Sequence, residues 1–467
     1  MTRRPSTARC VARLPARPGS RRAPTIRRGL GTALSALPAA GTLLLLGVLW
    51  TAARAGRFDG VPLLGPALAP AVEVLGVLAL AGSWLSRRRR WLRRYLPAVV
   101  LTATAMTGVA ATALRLTGMV TDPYPPSFAL WAGLGLAALV GFPLVVTGPD
   151  RRRRWAAGAA VPLTLAGALL LVNDEYGVWP TVGDLLGHTR VRGASALHLP
   201  PGSVRSDSGV LVALDPPATR SRFAHRRGSV YLPPAYFTPA RTKLPVVVML
   251  AGAPGAPVQW PTSGRAIASA DAYAAGHHGR APVLLFVDQN GSATGDTECV
   301  DGPRGDAETY LTVDVPAFVT RTLRIPRFPG RWAVAGFSAG GTCALDLALA
   351  HPDTFRTFVD LAGDPRPNLG DAAHTRRVLF GGSRHAMTDH DPVRLLRTRH
   401  GRGLTGWFAS GADDGVRLAV SKRLAATAAR NGVRVHAFTG VAGHNWQFAS
   451  DAFARLLPPL CADLGLR

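Results

Sequence analysis

The first third of the chain is a series of apolar stretches, each near or above membrane-spanning length, set apart by clusters of arginine. A helix needs about 20 predominantly apolar residues to cross ~30 Å of hydrocarbon, where no water is present to satisfy backbone groups. Five spans are read on this basis, at residues 30–53, 61–85, 96–120, 127–147 and 155–172. Nine arginines precede the first span, six lie within 87–94 and four form 151–154, whereas the loops at 54–60 and 121–126 carry little charge. Dense positive charge therefore falls on alternate sides. The positive-inside rule then places the N-terminus, the second-to-third loop and the fourth-to-fifth loop in the cytoplasm, and everything after residue 172 outside. Arg115, inside the third span, is expected to snorkel or to face the bundle interior.

The formal net charge of +26 invites a nucleic-acid reading, but its distribution argues against one. Residues 1–155 hold 22 Arg against four acids, and the remaining 312 residues hold 32 basic and 24 acidic side chains. The excess sits in clusters that adjoin membrane-length segments and lack interleaved polar or aromatic readers, so the partner is a membrane and no nucleic acid is expected. An uncleaved anchor is the simpler account of the first span. Ala53-Arg54-Ala55 nevertheless resembles a signal-peptidase site, and Arg27-Arg28 a fragment of a twin-arginine signal. The resulting organisation is a cytoplasmic arm (1–28), an all-α transmembrane domain of about five helices (29–172), a polar linker (173–204) and an extracytoplasmic domain (205–467).

In that last part apolar strand signals alternate with helical ones. Strands are expected at 209–214, 229–232, 245–250, 283–287, 332–336, 357–361, 403–409 and 434–439, with helices near 264–275, 311–323, 339–350, 416–431 and 445–464. Apolar strands without polar alternation imply a sheet covered on both faces, hence a doubly wound, mostly parallel α/β domain.

The run Arg331-Trp-Ala-Val-Ala-Gly-Phe-Ser-Ala-Gly-Gly-Thr-Cys-Ala-Leu345 reads as a buried strand, a tight turn carrying Ser338, and an Ala-rich helix. This is the layout of a nucleophile elbow: glycines at 336 and 340 relieve crowding, and the helix N-terminus favours negative charge beside the serine. A structural Gly-Ser turn is the bland alternative. In such a fold the nucleophile is followed along the chain by an acid and then a histidine. Asp414, in Ser410-Gly-Ala-Asp-Asp-Gly415, is the preferred acid, with Asp413 as the alternative; either could also be an N-cap of the next helix. His444, after the last strand and before the terminal helix, is the expected base. Two backbone amides should form the oxyanion hole, that of Ala339 after the nucleophile and that of Ala253 in the loop after the strand at 245–250, since Pro254 has no N–H. His277, His278, His374, His385, His390 and His400 read as solvated loop residues. Asp389-His390-Asp391 hints at a metal, but no second cluster completes a site, so neither metal nor cofactor is expected. Of four cysteines, Cys10 lies in the arm; a bond between Cys299 and Cys343 is the working expectation, with a buried free Cys343 as the alternative.

At these residues the sequence resembles the esterase D / antigen 85 mycolyltransferase-like group of α/β hydrolases. The resemblance covers roughly residues 209–464 and rests on Val230-Tyr-Leu-Pro-Pro-Ala-Tyr236, Met249-Leu-Ala-Gly252, Gly336-Phe-Ser-Ala-Gly-Gly341, His351-Pro-Asp-Thr-Phe355 and Gly443-His-Asn-Trp446. It implies Ser338 as nucleophile, a carboxylate from the Asp413/Asp414 pair, His444 as base and the amides of Ala253 and Ala339 as oxyanion donors. Two features depart from it: the acid in mycolyltransferases is a glutamate, and the membrane-spanning third lies outside the shared domain. The expected function is a membrane-anchored serine esterase or acyltransferase acting on acyl esters, lipid or envelope ones in particular, at the outer face of an actinobacterial-type cytoplasmic membrane. The rival is a non-enzymatic membrane protein whose hydrolase-like outer domain binds a ligand.

Overall fold

The computed structural model describes residues 48, 50–84, 89–116, 125–146, 150–189, 191–199, 208–239, 244–325, 331–399 and 401–466. The chain divides into two compact units, Met1–Phe58 and Asp59–Arg467. In the first, residues 50–54 are helical and the Arg54 guanidinium lies 5.0 Å from the Trp50 ring centre. The first expected span lies almost wholly outside the described residues, as do Cys10, His400 and the Arg115 side chain.

The second unit opens with four apolar helices, α1 (Leu68–Trp84), α2 (Arg89–Leu116), α3 (Pro126–Val146) and α4 (Arg151–Tyr176). Among the described residues three helical stretches are long and apolar enough to cross a membrane: 22 residues at Arg93–Leu114 and all 21 and 26 residues of α3 and α4. Where about five spans were expected, the described residues hold three helices of sufficient length, with α1 apolar but only 17 residues long. Small residues bring these helices together; Gly76 of α1 lies against Thr164 of α4. Asp150 caps α4, its carboxylate accepting from the N–H groups of Arg152 and Arg153, and Gly177 ends the helix in the left-handed region at φ 66°.

Several hydrogen bonds hold the described residues that follow α4. Asn173 exchanges two bonds with the Trp179 backbone, Thr181 and Asp184 form a capping box over one helical turn, and Arg192 pairs with the first strand of the sheet that follows.

That sheet has eight strands: β1 (Val210–Leu214), β2 (Gly228–Leu232), β3 (Val246–Leu250), β4 (Val283–Phe286), β5 (Trp332–Phe337), β6 (Thr357–Leu361), β7 (Thr405–Gly411) and β8 (Arg434–Gly440). Their spatial order is β1-β2-β4-β3-β5-β6-β7-β8. β2 runs antiparallel to both its neighbours, β1 and β4, and the remaining pairs are parallel. The central strands β3, β4, β5 and β6 are buried along their whole length, as a sheet covered on both faces requires. The helices of this part are α5 (Ala266–Ala275), α6 (Val315–Thr322), α7 (Ala339–Ala350), α8 (Ala372–Phe380), α9 (Arg384–Asp389), α10 (Pro392–Arg399), α11 (Gly415–Arg430) and α12 (Trp446–Asp463), with Leu379 and Phe380 of α8 in a small apolar cluster apart from the main core.

The expected strands are all present, shifted at their ends by at most two residues. Two differences are substantive. Residues 310–314 form a π-turn before α6 instead of continuing one α-helix, and α8, α9 and α10 occupy a region read as irregular. Cys299 and Cys343 are joined in a disulfide with Cα atoms 5.5 Å apart, tying the loop after β4 to α7; Cys461 is buried and unpaired as a thiol.

Candidate active site

Ser338 stands between β5 and α7 with φ 59° and ψ −125°. A non-glycine residue held there is strained, and the strain is imposed by crowding on both sides. A Cβ at position 336 would fall 1.9 Å from the carbonyl oxygen of Gly340, and one at 340 would fall 2.4 Å from that of Leu250. Only glycine fits at either place. The Ser338 N–H donates to the Leu361 carbonyl at 2.9 Å, which fastens the turn to the end of β6.

His444 comes from the loop between β8 and α12. Its Nε2 lies 2.8 Å from Ser338 Oγ and its Nδ1 2.9 Å from Asp414 Oδ2. Beneath the imidazole, the Phe337 ring lies 4.9 Å away centre to centre, and Phe337 in turn meets Trp446, which packs edge-on against the buried Trp260. The imidazole thus rests on an aromatic floor built by the strand, the loop after β3 and the terminal helix.

Asp414 follows β7. One oxygen reaches His444 and the other accepts from the Arg417 N–H at 3.2 Å, so the residue also caps α11. Burial pushes this carboxyl up; the hydrogen bond and positive charge of His444, with the N–H and guanidinium of Arg417, outweigh that and hold it below the usual carboxylate range. An ionised carboxylate only accepts hydrogen bonds, so the Nδ1 facing it carries the proton and Nε2 presents a lone pair to the serine hydroxyl. Asp413, exposed to solvent, donates its N–H to the Ala442 carbonyl and makes no side-chain bond to His444 among the described residues.

Of the two expected oxyanion donors, Ala339 is the first residue of α7, where its N–H has no partner within the helix. Ala253 follows Gly252, whose own surface abuts the serine: a Cβ there would lie 3.2 Å from Ser338 Cβ and 3.8 Å from Oγ. Neither N–H donates a hydrogen bond among the described residues. The structure thus gathers Ser338, His444, Asp414, Gly252-Ala253 and Ala339 at the carboxyl edge of the sheet and leaves Asp413 outside.

Sequence reasoning missed the polar residues after β4. Asp288, Gln289 and Asn290 are each 4 % exposed or less. Asp288 pairs with Arg226, at 2.6 Å from Nη2. Gln289 and Asn290 turn their amides to the carbonyls of Ala251 and Gly252. The available signal was a polar Asp-Gln-Asn run directly after an apolar strand, at the sheet edge where α/β folds build sites.

His390 also departs from expectation. Read as a solvated loop residue, it is 15 % exposed and bonds Asp346 at 2.7 Å, with Glu308 3.6 Å away. Burial pulls its pKa down, but the hydrogen bond and charge of Asp346 prevail and raise it. His277 stacks on Tyr273 at 3.8 Å. Among the described residues no cluster of three or more His, Cys, Asp or Glu side chains is arranged to hold a metal ion.

Residues 224–461 match the Putative esterase family. The chain belongs to that family. An uncharacterized protein of Corynebacterium glutamicum is 30 % identical over 393 residues, a match covering 81 % of this chain and 89 % of the relative. That coverage exceeds what the esterase region can supply, so the likeness runs into the helical N-terminal part. Among solved structures, a ferulic acid esterase (18 % identity, TM-score 0.46) covers 56 % of this chain and 100 % of its own. An S-formylglutathione hydrolase from Agrobacterium tumefaciens (18 % identity, TM-score 0.46) covers 56 % of this chain and 98 % of its own.

Proposed function

We propose that this member of the esterase family is a membrane-anchored serine hydrolase that cleaves or transfers acyl esters at the outer face of the membrane. The observation that carries the reading is the single imidazole of His444, hydrogen-bonded to Ser338 Oγ on one nitrogen and to Asp414 on the other. In the reaction His444 Nε2 takes the Ser338 proton as Oγ attacks the ester carbonyl carbon. The oxygen that becomes negative is received by the N–H groups of Ala253 and Ala339. The C–O bond to the leaving alcohol then breaks, the alcohol leaves with the proton held by His444, and an acyl-Ser338 remains. Water or an acceptor hydroxyl, deprotonated by the same imidazole, resolves it. Asp414 keeps the ring in the required tautomer and offsets the charge of the imidazolium.

An outer location is supported by two features. The four consecutive arginines 151–154 stand at the opposite end of α4 from the esterase domain, and the Cys299–Cys343 bond suits an oxidising compartment.

The test is labelling of the full-length protein in detergent with a fluorophosphonate probe, together with turnover of p-nitrophenyl butyrate. Ser338→Ala is expected to lose both while keeping the unfolding temperature of the parent; probe incorporation undiminished by that substitution overturns the assignment. Product analysis with and without glycerol separates hydrolysis from transfer.

A further inference from the structure

The peptide that presents the Ala253 N–H is gripped from behind. We infer that Asn290 is a positioning residue of this enzyme, one that orients an oxyanion donor by holding the carbonyl on the opposite side of the same peptide plane. The inference rests on the serine-hydrolase reading above.

In a trans peptide the C=O and N–H point in opposite directions, so fixing one fixes the other. The Gly252–Ala253 peptide is trans. Its carbonyl accepts from Asn290 Nδ2 at 3.0 Å. A carbonyl only accepts, so the Asn290 amide must present its NH2 to it. Gly252 lies against Ser338, where a Cβ would fall 3.2 Å from Ser338 Cβ and 3.8 Å from Oγ, so the peptide whose N–H belongs to Ala253 starts beside the serine. Glycine at 252 leaves this plane free to rotate, because no side chain restricts its ψ. The orientation has to be supplied by a partner, and Asn290 is the partner.

Asn290 is itself held. Its own N–H donates to Asp288 Oδ1 at 3.1 Å, and Asp288 takes three bonds from Arg226, whose Nη2 also reaches the Gly255 carbonyl at 2.8 Å. Gln289 donates to the Ala251 carbonyl one residue upstream. Carbonyls 251 and 252 of the loop are thus tied to the polar run after β4 directly and carbonyl 255 through Arg226, and only the bond to 252 belongs to the donor's peptide.

The decisive substitution is Asn290→Asp in the full-length protein, which keeps the shape and removes the donor. A carboxylate facing the Gly252 carbonyl repels it and turns the peptide. With p-nitrophenyl butyrate we expect kcat to fall about 100-fold, the scale of losing one oxyanion donor, with KM within about twofold. Inhibition by an alkyl boronic acid, whose tetrahedral adduct bears the same negative oxygen, is expected to weaken by the same factor, while a non-hydrolysable ether isostere of the ester competes unchanged. Asn290→Ala is expected to repeat the split and serves where the Asp variant does not fold; Asn290→Ser, which restores an O–H donor, is expected to recover part of kcat. A kcat within tenfold of the parent in both the Asp and Ala variants, or equal loss for boronate and ether, overturns the inference. Absence of Ser338-dependent turnover in the parent protein instead overturns the enzyme reading on which it stands.

Discussion

At the scale of single residues, the least legible choice in the sequence was between Asp413 and Asp414. The two are neighbours of identical chemistry, and nothing in their spacing says which one turns inward. The backbone decides: the Asp413 N–H is engaged by the Ala442 carbonyl, and the next side chain is drawn between His444 and the start of α11. Asp414→Asn is expected to lower kcat by about 10⁴-fold, the loss seen when the acid of a serine-protease triad is neutralised. Asp413→Asn is expected to stay within about threefold, since an exposed carboxylate acts only through screened charge. Steady-state kinetics of the two variants on one soluble ester checks the assignment, and a large loss in Asp413→Asn with a small one in Asp414→Asn would exchange their roles. Ser338 and His444 were readable because each occupies a position fixed by chain order in this fold. Asn290 was not, because its role is defined by a carbonyl far away in sequence, and side-chain-to-backbone bonds leave no periodic trace.

At the scale of elements, the strands were legible because four- to seven-residue apolar runs between turn residues admit little else. The region of α8, α9 and α10 was not. Its helices are rich in Arg and His, bury few apolar side chains (Leu379, Phe380, Leu395 and Leu396), and are held by caps at Asp371 and Ser383 as much as by periodicity.

β6 carries a further consequence. Asp360 in that strand is fully enclosed, with Oδ1 accepting from the Gly363 N–H and Oδ2 without a partner among the described residues. Burial raises its pKa to about 7, the Gly363 bond only partly opposing, and Asp364 adding to the rise. The unfolded chain gives up this proton near pH ~3.9, whereas the folded chain keeps it to about 7. Between those values the unfolded state binds fewer protons, so this residue subtracts stability progressively as pH rises through the window and by a constant amount above it. Asp360→Asn removes the effect. Its unfolding temperature relative to the parent is expected to be higher at pH 8 than at pH 5, by several degrees for a difference of a few kcal/mol. Scanning calorimetry at the two values decides, and an identical difference at both would mean that Asp360 ionises ordinarily.

At the scale of the whole molecule, the apolar helices and the candidate site meet at one end of α4. Three residues past His444, Gln447 donates to the Asp174 carbonyl at 3.1 Å and lies against Gly177, and Ser263 bonds the Val178 carbonyl near Trp260. The last apolar helix therefore ends directly beside the loop that holds the imidazole. Two of the most exposed apolar side chains of the described residues, Val416 in the first turn of α11 just after Asp414 and Val441 in the loop that carries His444, are 75 % and 83 % exposed. Valines so placed cost free energy in water and gain it against lipid, at about 25 cal/mol for each Å² of apolar surface covered. If the reactive serine draws its ester from the bilayer beside α4, these two side chains touch that surface while remaining apart from the chemistry. Replacing both by Asp is then expected to reduce turnover of a long-chain ester embedded in lipid vesicles by about tenfold, through removal of apolar contact and added repulsion from anionic headgroups, and to leave turnover of soluble p-nitrophenyl butyrate unchanged. The comparison is internal to one preparation, because the soluble ester reports the integrity of Ser338, His444 and Asp414 and the vesicle ester reports access. Equal turnover of the vesicle ester by parent and variant would mean that substrate reaches the serine from the aqueous side, with α4 serving as a tether alone.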